Sequence, residues 1–327
     1  MKHFLLTAAA AAMVLALGSC TKTETVNVSD ANYIGFDNAF VGNPTKAIEV
    51  TTDNIDHFMV YGGYQGNNQI FSGVKVSKNS NGEWTYSPLQ KWEDNQTYKF
   101  AAYYPETLTV TPKFDYTSGS LTFTDVVVNN TVNQVDFIYD ESGEILSEAD
   151  SPRNKVPFTF EHMFSMVQFT IKSGFAEDVV VDISNFKFYG MNSQNTLQNG
   201  QWAATTQTKI LEGDAIELGE GKAQAAEAPV NYVNNCVVMP QAFENDVVFA
   251  KFTVTLTSTG ASLDFIPEDE RTAEITAAIP KDTWERGYRY NYIVTIDGQN
   301  LDYITFDEPK VSTWGGEGEN INLDNTL

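Results

Sequence analysis

The run KFTVTLT, Lys251 to Thr257, alternates strictly: Phe252, Val254 and Leu256 fall on one face, lysine and threonines on the other. A period of two is the signature of a half-buried β-strand. Comparable runs rich in Val, Ile, Thr, Phe and Tyr recur along the chain, among them HFMVYGGY, TYKFAAYY, SLTFTDVVV, VVVDISNFKFYG and YRYNYIVTID. Gly, Asn, Asp and Ser punctuate them, as turns require. No segment of convincing length carries the 3.6-residue period of a helix, and no repeat of fixed period is found. The pattern predicts an all-β protein built from antiparallel β-sandwiches.

At 327 residues the chain is long enough for two domains, each with its own core. The stretch DESGEILSEADSPRNKVP, Asp140 to Pro157, is acidic, short of large apolar residues and carries two prolines, so the boundary is expected there. The N-terminus, MKHFLLTAAAAAMVLALGSC, has a basic start, an apolar run too short to span a bilayer comfortably, and small residues before Cys20. It reads as an export signal, and Leu17, Gly18 and Ser19 resemble a bacterial lipobox that would make Cys20 the lipidated first residue. The expected organisation is therefore a lipoprotein signal peptide over 1–19, a tether over 20–32, a first sandwich over 33–140, a linker over 141–155 and a second sandwich over 156–327. The Gly/Ala/Glu-rich run EGDAIELGEGKAQAAEAP reads as an exposed excursion of the second domain.

Charge narrows the function classes. With 20 Lys+Arg against 43 Asp+Glu, the net charge of -23 repels phosphate backbones and anionic lipid, so no nucleic-acid partner is expected. Each buried CH₂ of an acyl chain contributes about 0.8 kcal/mol, so several chains on Cys20 would hold the protein at a membrane. Cys236 then has no partner within the chain and reads as a buried core thiol. His57 and His162 each head an apolar run, where a structural histidine is expected over a general base. Ser165 has no Gly-x-Ser-x-Gly elbow around it, and no metal-ligand spacing or phosphate-cradling loop occurs. No enzyme, cofactor or metal site is expected.

One cluster is dense in rings: Trp84, Tyr86, Trp92, Tyr98, Phe100, Tyr103 and Tyr104 fall within GEWTYSPLQKWEDNQTYKFAAYYPE. Such rings fill a sandwich core or form a sugar-stacking platform, in which Trp84 and Trp92 would be the glycan contacts. The spacing W-x-Y-x-P…W…Y-x-F-x-A-Y-Y-P resembles the N-terminal domain signature of the fimbrillin family, the subunits of type V pili. IGFDNAF before a Thr-basic-Ala loop, NIDHFMVYGGY, FEHMFSMVQFTI, WERGYRYNYIVTI and VSTW agree with it.

The resemblance implies two transthyretin-like, Greek-key sandwiches, secreted as an outer-membrane lipoprotein precursor and assembled into fimbriae at the cell surface. It implies that a trypsin-like protease cuts after a basic residue in the first loop, here between Lys46 and Ala47. The first strand, with Tyr33, Ile34 and Phe36, would then leave, and a strand from another pilus subunit would fill its groove. The tail EGENINLDNTL, with Ile321, Leu323 and Leu327 alternating, is the candidate donor. It is short and polar for a donor, and Lys46 would be cut poorly by an arginine-specific enzyme. The other reading is a surface lipoprotein or pilus-tip adhesin that binds a surface receptor or glycan.

Overall fold

The computed structural model describes residues 32–41, 50–108, 110–128, 134–149, 154–208, 215–225, 230–280, 282–298 and 304–314. Among them every regular element is a strand, save one short 3-10 turn at Glu268–Glu270. The all-β expectation holds, with a refinement. Most pairings are antiparallel, but Phe36–Val41 runs parallel to Val156–His162, and Ser165–Ser173 runs parallel to Tyr288–Ile296.

The first half forms a seven-stranded sheet ordered Phe36–Val41, Val156–His162, Ile138–Ser147, Gln96–Tyr104, His57–Tyr64, Asn67–Lys78, Trp84–Thr85. Its two ends are drawn together by the segments flanking them. Tyr33 bridges Lys91, the Ile34 N–H donates to Gln90 O at 2.8 Å, and the Trp92 N–H donates to Asn32 O at 3.0 Å. The sheet thus curls around one aromatic core.

Strand Gln96–Tyr104 explains the ring-rich stretch of sequence. Its even positions, Tyr98, Phe100 and Ala102, enter the curled core, while Ala101 and Tyr103 enter a separate cluster on the other face. A strand covered on both faces has no polar face to show, so its sequence reads as a continuous apolar run. Its neighbour His57–Tyr64 approaches so closely that a Cβ on Gly62, at φ +153°, would lie 2.6 Å from Lys99 O. Only glycine fits there.

The first part of the linker expected over 141–155, residues 141–147, is strand. Ile138–Ser147 pairs with Gln96–Tyr104, and Val156–His162, assigned by its pattern to the second domain, lies inside the first sheet. A bulge hid the strand: the register slips between Lys99 and Ala101, Ser142 Oγ accepts the Phe100 N–H at 3.0 Å, and Gly143 has φ 67°. Bulging breaks the alternation, and the acidic residues around it face outward. The chain leaves the first sheet only at His162 and begins the next at Ser165.

The second half is a sandwich. One sheet is ordered Tyr232–Val238, Ser165–Ser173, Tyr288–Ile296, Lys310–Thr313; the facing one is ordered Ile216–Glu217, Val179–Tyr189, Phe249–Ser258, Thr272–Ala278. Phe252, Val254 and Leu256 point into the core between them, as their alternation predicts. Cys236 is fully buried there as a free thiol, and burial pushes its pKa up.

The halves share structure. Strand Ser120–Val127 of the first pairs with Gln194–Gln198 of the second. Beneath this sheet a cluster takes Tyr103, Phe123 and Phe137 from one half and Leu197, Met239 and Trp314 from the other. Gln134 binds both backbone groups of Val237, donating to its carbonyl at 2.9 Å and accepting its N–H at 2.8 Å.

Phe123, fully buried against Tyr103, Phe137 and Tyr139, is the place to test this coupling. Phe123→Ala is expected to cost about 3–5 kcal/mol and to destabilise both halves together in urea, followed by tryptophan fluorescence and circular dichroism. Loss confined to one of two separate transitions would show the halves to be independent.

Candidate functional site

The first strand, Phe36–Val41, sits at one end of the curled sheet and is the most deeply seated element of the first half. It pairs with Val156–His162 from Phe36↔Val156 to Val41↔Phe160. Ile34 and Phe36 point inward at even positions; a register shift between Asp37 and Ala39 then moves the inward set to Ala39 and Val41. All four are at most 4% exposed.

Phe36 is the hub. Its ring meets five others, those of Phe58, Phe71, Tyr86, Phe100 and Phe158, at centroid distances of 5.4–6.1 Å. Burial of Ile34, Phe36 and Val41, at ~1.5–3 kcal/mol each, contributes roughly 5–9 kcal/mol as an upper estimate. Tyr86 locks the strand's start by donating its hydroxyl to Ile34 O at 2.6 Å, and its burial raises its pKa to about 12.

The strand beside it pairs with Ile138–Ser147 only at Glu161 and His162, and with the first strand from Val156 to Phe160. Val156–His162 alternates without fault, with Val156, Phe158, Phe160 and His162 inward. The Val156 N–H donates to Gly35 O at 2.8 Å, toward the first strand. On the opposite edge Pro157 has no N–H to donate, and the Thr159 N–H is accepted by Asp140 Oδ2 at 2.6 Å. Its hydrogen-bonding edge toward the first strand is therefore the one left needing a partner if that strand departs.

Behind the slot lies a buried polar anchor. Asp136, fully buried, accepts the Val50 N–H at 3.1 Å and the His162 Nδ1–H at 2.8 Å through one oxygen. The His162 ring stacks on Trp314, 4.7 Å between centroids and 3° between planes. Val50 is thereby held independently of the first strand. His162 is a structural histidine, as its position in the sequence predicts. His57 is bound to Asp56 at 2.5 Å and packs edge-on against Tyr104.

Of the residues singled out in the sequence, Tyr33, Ile34 and Phe36 fall together at this site; Tyr33 is half-buried at the sheet closure and the other two are core. Cys20, Lys46 and Ala47, and Ile321, Leu323 and Leu327, lie outside the described residues. Trp84 and Trp92 are 8% and 6% exposed and pack on Phe58 and Tyr98, so the structure puts both indoles in the core. Ala39, Val41 and Asp136 were not foreseen. The parity change hid the first two, and a lone Asp after an unpatterned segment gives no signal. No cluster of metal-ligating side chains exists among the described residues.

A curled sheet completed by its own first strand, coupled to a second sandwich, defines an all-β two-part architecture. Residues 44–314 match the family described as fimbrillin-like, and the chain belongs to that family. Two solved structures are similar in fold. A fimbrial protein from Bacteroides vulgatus is 16% identical, with a TM-score of 0.59 over 86% of this chain and 99% of its own. A putative cell adhesion protein from Bacteroides ovatus is 12% identical, with a TM-score of 0.50 over 86% and 96%. No curated protein matches the sequence. The family is structural and not enzymatic.

Two measurements check the site. Phe36→Ala is expected to cost about 3–5 kcal/mol in urea unfolding, against under 1 kcal/mol for a typical exposed substitution; equal effects would mean that the strand is not anchored. Burial raises the Asp140 carboxyl to about 6, against the Thr159 N–H bond that lowers it. The folded state thus holds this proton more tightly than the unfolded chain, whose value is near 3.8. Its contribution is complete below that value and is lost as pH rises to about 6. The difference in stability between the parent and Asp140→Asn should therefore change across that window; a constant difference would contradict it.

Proposed function

We propose that this protein is a structural subunit of a cell-surface pilus, made as a lipidated precursor at Cys20 and polymerised by strand exchange, contributing to adhesion. Proteolysis between Lys46 and Ala47 frees the first strand, and a strand of another subunit takes its place. The observation that carries this reading is the first strand itself. With Ile34 just before it, it contributes four buried apolar anchors and a paired strand edge, yet it lies on the N-terminal side of Lys46, the sole Lys or Arg between Lys22 and Lys75.

Withdrawing such a strand exposes an apolar slot and a strand edge, and both are driven to pair again. The anchor at Asp136 keeps Val50 in place, so the remainder of the core need not follow the departing strand. Ile321, Leu323 and Leu327 carry the even spacing a donor requires, with Asn325 at the intervening inward position. That polar residue weakens the tail as a donor relative to the strand it would replace.

Sequencing the N-terminus of subunits sheared from cells tests the processing step. The expected chain begins at Ala47, and Lys46→Gln should abolish incorporation into filaments. Filament subunits that all begin at a lipidated Cys20 would contradict it.

A further inference from the structure

Three of the chain's five tryptophans, Trp202, Trp284 and Trp314, line one cavity. It encloses about 820 Å³, within the ~300–1,000 Å³ range of small-molecule sites. Strand Val156–His162, the segment around Gln201–Trp202 and the short strand Asp282–Trp284 converge on it, so both halves of the molecule build its walls. Junctions of this kind are preferred places for ligands.

Unsatisfied polar groups gather around it. Among the described residues four buried side-chain atoms lack a hydrogen-bond partner, and two belong to residues of this wall. They are the indole N–H of Trp314, a residue only 1% exposed, and the hydroxyl of Thr205. A third, Asp136 Oδ1, lies on the carboxylate that holds His162, itself a wall residue. Buried polar atoms are almost always satisfied, so these three mark the wall as unusually polar, each being too deeply buried to meet a ligand directly.

Trp202 supplies a rigid aromatic surface. Its indole N–H donates to Met163 O at 2.6 Å, and its ring lies on Phe164 at 11° with centroids 6.0 Å apart. Both contacts fix the ring, yet the residue is only half-buried and borders the cavity. Gln201, Thr206 and Thr283 are exposed on the same wall. Arg286 is paired with Glu161 at 2.8 Å, and the exposed Glu285 on the same wall has no salt bridge among the described residues.

These features select a ligand class. A ring face suits the C–H surface of a sugar, and neutral amides and hydroxyls suit its oxygens. An acyl chain would leave those groups unpaired, and an anionic ligand would meet Glu285. We propose that this cavity binds a neutral saccharide, which stacks on Trp202 and hydrogen-bonds to Gln201 and Thr283. The site is separate from the first-strand slot and does not depend on strand exchange.

The test uses the protein purified from cells, titrated with neutral gluco-, manno-, galacto- and N-acetylglucosamine oligosaccharides, with dextran sulfate alongside. Calorimetry and tryptophan fluorescence read the binding. At least one neutral oligosaccharide should saturate, and Trp202→Ala should weaken it by about tenfold or more, a loss of ~1.4 kcal/mol. Gln201→Ala and Thr283→Val should weaken it less, with unchanged circular dichroism. If Trp202→Ala fails to fold, the exposed Gln201→Ala decides. No binding across the neutral panel, binding untouched by the variants, or tighter binding of dextran sulfate would overturn the proposal.

Discussion

The first half of this molecule closes only while a strand bearing a large apolar anchor lies beside Val156–His162. Phe36 fills the centre of five surrounding rings, and its strand satisfies an edge that nothing else among the described residues pairs with. Much of the remaining architecture reads as a consequence. Pro157 and Asp140 dispose of the opposite edge, Tyr86 seals the strand's entry, and Asp136 secures the chain at Val50. The contacts of Asp140 with Thr159 and of Asp136 with Val50 and His162 do not involve the strand that fills the slot.

The second constraint is that the halves are not separable modules. A sheet formed by strands from each, a shared cluster under it and the Gln134 side chain acting as a backbone partner for Val237 join them. In the filament proposed above, load on one half would be shared with the other. The same junction creates the tryptophan-lined cavity, so the feature that stiffens the molecule also creates a recessed surface.

How much of this was legible in the sequence depended on whether alternation survived. Strand Phe249–Ser258 and strand Val156–His162 repeat without fault, and their inward faces follow from period two alone. Where a bulge intervenes the pattern misleads: residues 141–147 read as linker, and the shift between Asp37 and Ala39 conceals half of the first strand's anchors. The aromatic cluster was visible, but a single sequence cannot tell a ring in a core from a ring on a platform. Trp84 and Trp92 went inside, whereas Trp202, isolated in a polar stretch, is the half-exposed one. Buried polar contacts such as Asp136 with His162 join residues far apart in the chain and left no local trace.

The central claim is that the strand beside Val156–His162 is exchangeable between subunits. A cryo-electron microscopy map of filaments from cells tests it by following the density of that strand to its origin. The account predicts that the strand filling the slot belongs to the neighbouring subunit, and that residues 33–46 are missing from the mature chain. A strand traced to Phe36–Val41 of the same chain would contradict it.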